Sequence, residues 1–102
     1  MSPKVAECGE IARQKLKTAR ECWEKGAFER AARESRNAVC AGCVAVGLSG
    51  FGDPWSTFEK ACHLGSNRQH PVFAAEDMLL GLNAMLPEGD AFPEGFFQVR
   101  IQ

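Results

Sequence analysis

The chain has 102 residues, 45% of them hydrophobic and 25% charged, with 12 Lys+Arg against 13 Asp+Glu. That length bounds it to one small domain, and the apolar share excludes a chain too polar to fold. A net charge of −1 excludes the bulk basicity that drives general nucleic-acid binding.

Helical periodicity dominates the first half. Over residues 3–25, Val5, Cys8, Ala12, Leu16, Ala19 and Trp23 recur at gaps of three or four, which places them on one helix face. Ser2 and Pro3 suit the N-cap and first turn, and Gly26 stops the helix. A second helix is expected from Phe28, with Phe28, Ala32, Ser35, Val39, Gly42 and Val46 as a heptad-like seam. Its first half carries Glu29, Arg30, Arg33, Glu34, Arg36 and Asn37 outside. Its second half, residues 38–48, is apolar all round and requires cover on every side. Gly50-Phe51-Gly52-Asp53-Pro54 is a loop.

A short third helix is expected over residues 55–64, capped by Asp53 with Pro54 at its first position. Phe58, Ala61 and Cys62 would face the core, and Gly65-Ser66-Asn67 would end the helix. A fourth helix over residues 71–86 would bury Phe73, Ala74, Met78, Leu82 and Met85, with Glu76 and Asp77 on its wet face. Pro87 stops it. The tail is broken by Gly89, Pro93 and Gly95, and Phe97-Gln98-Val99-Arg100-Ile101 alternates like a short strand. A lone strand is not stable by itself. The expectation is an all-α, four-helix up-and-down bundle over residues 1–87. Residues 88–102 would form an irregular arm packed on the bundle or on a partner subunit.

The N-terminal segment lacks the apolar stretch of a secretory leader, and no uncharged run reaches the roughly 20 residues of a membrane helix. A cytoplasmic protein that avoids membranes is the expectation. Its five cysteines would then be reduced. Cys40 and Cys43 stand three apart on one helix face, and Cys62 with His63 would complete a Cys₃His metal site. The competing reading treats the cysteines as small buried hydrophobes, since the pair lies inside a helix and away from a thiolate-stabilising N-terminus. No cofactor is expected.

Charge is uneven. Residues 1–36 hold nine basic and six acidic groups, and residues 37–102 hold three and seven. Arg30, Arg33 and Arg36, with Asn37 and His70, are candidates for meeting a nucleotide or nucleic acid. Interleaved glutamates offer the other reading, a solvated face laced by intrahelical pairs.

The segment from Glu24 through Lys25-Gly26-Ala27-Phe28 to the alanine-rich run ending at Val39 resembles the HEPN family (higher eukaryote and prokaryote nucleotide-binding domain). The likeness covers about residues 10–64 and includes the Gly-containing loop after Leu48. It implies a four-helix bundle, often dimeric, that commonly pairs with a small nucleotidyltransferase. Active members are metal-independent ribonucleases whose motif is Arg, four to six residues, then His. Arg36-Asn37 matches the front of that motif, but Ala41 stands where the nearest histidine would, and Arg68-Gln69-His70 is too short. The expected function is therefore a non-catalytic HEPN-type interaction module. It would form a homodimer through the apolar half of helix two, the Phe-rich tail, or both. The alternatives are an RNA- or nucleotide-directed enzyme using the Arg30–Arg36 stripe with a histidine, and a tetratricopeptide-like protein-binding hairpin.

Overall fold

The computed structural model describes residues 2–50, 53–64 and 69–99. Four α-helices follow in order: α1 (Pro3–Glu24), α2 (Phe28–Leu48), α3 (Pro54–Leu64) and α4 (Pro71–Met85). Gly26 adopts φ +82° and closes α1, a conformation that costs a residue with a side chain but not glycine. At α3, the Asp53 carboxylate accepts the Ser56 N–H at 2.9 Å, the capping bond its position foretells. Leu86 is extended ahead of Pro87, which ends α4. The expected stop at Gly65-Ser66-Asn67 lies outside the described residues.

The helices alternate in direction. Lys15 meets Glu34 across the α1–α2 hairpin, with 3.7 Å between charges. Phe58 of α3 lies by Cys40 and Cys43 of α2, and Cys62 lies by Ser35, Arg36 and Val39, so α3 runs back along α2. In α4, Pro71 and Ala74 share a groove with Ala32 and Ser35, while Leu79 and Leu82 meet Gly42. Helix α4 is thus parallel to α2. The bundle is all-α and up-and-down, with α2 touching every other helix. Its core is built on Val5, Ala12, Leu16, Ala38, Val39, Val46, Val72, Leu79 and Leu82.

Helix α1 touches α4 only sparingly. The C-terminal arm runs in the seam between them. Phe92 stands over Gly9 of α1, so close that a Cβ there would fall 2.0 Å from the ring. Further along, the Arg13 guanidinium lies 5.0 Å from the Phe96 centroid, a cation–π contact. On the α4 side, Asn83 binds both backbone groups of Phe92: its Oδ1 accepts the N–H at 2.8 Å and its Nδ2 donates to the C=O at 3.1 Å. One helical turn pair earlier, the Glu76 carboxylate accepts the Val99 N–H at 3.0 Å. Phe92, Phe96 and Phe97 pack against each other with centroids 4.8 to 5.4 Å apart. Burying Phe92, Phe97 and Val99 contributes about 1.5–3 kcal/mol each. Asp90 fastens the other end, accepting from the Ser2 N–H and the Ser49 hydroxyl.

Several expectations require correction. The alternating tail is not a strand among the described residues: it makes turns closed by backbone bonds from Phe96 to Pro93 and from Gln98 to Gly95, and Phe92 and Val99 pair with side chains rather than with a neighbouring strand. Glu76 is not on a wet face but 1% exposed, because the arm lies over it. In α2 the seam moves round: Ala31 and Ala38 are buried while Phe28 and Ala32 are exposed. Phe28 sits at the first helical position, at the rim of α1, 55% exposed and packed edge-on with Trp23. In α3, Thr57 is buried and Cys62 is exposed. In α1, Gly9 and Cys22 are buried while Cys8 and Trp23 are half-buried. In α4, Val72, Ala75 and Leu79 take the buried places, and Phe73, Met78 and Met85 are half-buried. Ser2 occupies the N-cap of α1 without a side-chain bond.

Candidate functional site

The second half of α2 is where the sequence demands more cover than the chain supplies. Gly42, Cys43, Ala45 and Val46 face inward and are buried. The opposite side is bare: Cys40 is exposed, Val44 is 43% exposed and Leu48 49%. These three residues are spaced by four, so they form one ridge. Beside it, the first turn of α3 holds out Trp55, 69% exposed and stacked at 6.1 Å on Phe58. Between ridge and indole lies a depression of about 350 Å³ lined by Cys40, Cys43, Trp55 and Phe58. A tryptophan held this far into water is uncommon in a finished surface, and contiguous apolar patches of this kind mark interaction sites.

The basic half of α2 continues the same ridge. Arg30, Arg33 and Arg36 are all exposed. The predicted intrahelical pairs form in α1, where Arg13 meets Glu10 at 3.7 Å and Arg20 meets Glu24 at 3.0 Å. They do not form in α2, where Glu34 turns to Lys15 and the three arginines meet no carboxylate among the described residues. Asn37 is half-buried on the same helix. Arg30 and Arg33 border a shallow depression at the α1–α2 turn, whereas Arg36 borders a groove shared with α3 and α4. His70 does not join them. Its ring is sandwiched between Trp23 and Phe73, with centroids 4.1 and 4.2 Å away. Burial holds its pKa below the ordinary value.

The thiols are distributed by depth. Cys43 is buried and its pKa is pushed up to about 12, first by burial and then by the neighbouring Cys40 and Cys62. It is therefore a poor nucleophile. Cys40 and Cys62 are exposed, as is His63 in the last turn of α3. Among the described residues, no three His, Cys, Asp or Glu side chains are grouped to hold a metal ion. No described helix is long and apolar enough to cross a membrane.

Sequence reasoning missed Asn83, Glu76 and Gly9 as the fittings that seat the arm. Asn83 carried a signal, being polar between Leu82 and Ala84 in an apolar helix. Glu76 carried none, since it stands beside Asp77 as a wet residue would. No family model matches the chain, and no curated protein or solved structure is significantly similar to it.

Proposed function

We propose that the protein is a non-catalytic helical interaction module that self-associates through the outer ridge of α2 and the start of α3. The carrying observation is the exposure of Val44, Leu48 and Trp55 on one side of the bundle. Of the two apolar stretches expected to mediate self-association, the arm's described aromatics are spent inside the fold and the α2 ridge is not. In the HEPN-type reading the module also engages a small nucleotidyltransferase-like protein; the up-and-down helix order is compatible with that reading, and the missing Arg–His spacing speaks only against ribonuclease activity within it. Sedimentation across the micromolar range tests self-association. The wild type is expected as a dimer, and Trp55→Glu or Val44→Glu as folded monomers. A wild type that stays monomeric throughout overturns the reading.

One observation favours a second function. Arg30, Arg33 and Arg36 lack acidic partners among the described residues, which suits an anionic partner such as RNA. Titration with RNA at low salt tests it, because phosphate contacts are strongest there.

A further inference from the structure

Where α2, α3 and α4 meet, a groove of about 310 Å³ opens to solvent. It is distinct from the depression under Trp55, although Phe58 borders both. Val39, Phe58, Ala74, Ala75 and Met78 give it an apolar lining. Two polar features interrupt that lining. Ser35 is 3% exposed, and its hydroxyl has no hydrogen-bond partner, although a buried hydroxyl is normally paired. One residue on, the exposed Arg36 guanidinium stands at the rim without an acidic partner among the described residues. The lining residues include one cation and no carboxylate.

From this we propose that the groove is a binding site for a small amphipathic monocarboxylate, its head at Arg36 and its apolar body along Val39, Phe58 and Met78. The chemistry selects the head group. A single guanidinium matches the charge and the two-oxygen fork of a carboxylate, whereas a phosphate dianion would bring more charge than one arginine neutralises. The Ser35 hydroxyl, turned about its Cα–Cβ bond, supplies a further donor. The lining selects the body: the apolar run of Val39, Phe58 and Met78 suits a short alkyl chain, and octanoate carries one of that kind. An apolar lining with a few convergent polar groups is the usual form of a small-ligand pocket.

Octanoate is the probe, with octylamine as the same tail under the opposite charge. Calorimetric titration of the full chain is expected to show saturable binding of octanoate and none of octylamine. Octanoate is also expected to shield the exposed thiol of Cys62, at the groove's edge, from a maleimide. Arg36→Ala, at an exposed position, should weaken binding about 10- to 100-fold while leaving the circular dichroism unchanged. Ala32→Trp, at an exposed rim position, should fill the groove and abolish binding. Ser35→Ala should weaken binding several-fold yet leave the fold at least as stable, because it removes an unpaired buried hydroxyl. That combination separates a binding role from a structural one. Equal binding of both probes, no binding of octanoate, or an Arg36→Ala variant that binds as the wild type overturns the proposal.

Discussion

The two long sides of this bundle are finished differently. On one, the seam between α1 and α4 is filled by the arm, whose rings pack on Gly9 and each other and whose backbone is held by Asn83 and Glu76. On the other, α2 and α3 leave Cys40, Val44, Leu48 and Trp55 facing outward. Both sides are apolar. What separates them is polar fitting: the sealed side has a side-chain partner for the arm's amides, and the open side has no such fastening. Apolar surface thus serves stability where another segment of the chain is fastened over it, and remains available for contact where no segment of the chain covers it.

Breaking the sealed side should cost the most. Phe97, 3% exposed, lies at the centre of the arm's aromatic cluster. Phe97→Ala is expected to destabilise the fold by about 3 kcal/mol in urea denaturation. Asn83→Ala should cost about 1–3 kcal/mol, since it leaves the Phe92 N–H and C=O unpaired, and the Phe92 amide should exchange with solvent far faster. Gly9→Ala should fall in the same range through overpacking against the Phe92 ring. The open side should respond in the opposite sense. Trp55→Ser is expected to change monomer stability by less than about 0.5 kcal/mol and to weaken self-association, separating the two properties that Phe97→Ala confounds.

The smallest effect concerns His70, between the two sides. Its folded pKa lies below the ordinary value, so the unfolded chain binds the proton more readily. Stability is then fully present above about pH 6.5 and declines as pH falls through the ordinary pKa toward the lowered one. A thermal-melt series should show a decline that His70→Phe lessens, since phenylalanine keeps the stacking on Trp23 and Phe73 without titrating.

The sequence made the helices legible because their signals are local. Gly26, Asp53, Pro54 and Pro87 act on their immediate neighbours, and the observed bounds fall within a residue of those expected. It misled where the cause lay far along the chain. Glu76 is buried by Val99, 23 residues away, and no periodicity within α4 reports that partner. Phe28 keeps the helical period but stands at the end of α2, where α1 offers little to pack against. The candidate site was half legible in the same sense. Residues 38–48 announce an excess of apolar surface, but which face stays bare depends on where α1, α3 and α4 dock.

The close approach of Phe92 to Gly9 has a consequence for how such a sequence can change. The two positions are 83 residues apart in the chain yet share one volume, so their substitutions are coupled. A methyl group gained at position 9 calls for a smaller side chain at position 92, and a double-mutant cycle of Gly9→Ala with Phe92→Leu should show strong favourable coupling. The arm's seat is thus set jointly by two residues at opposite ends of the chain, and a side chain gained at one end is best accommodated by one trimmed at the other.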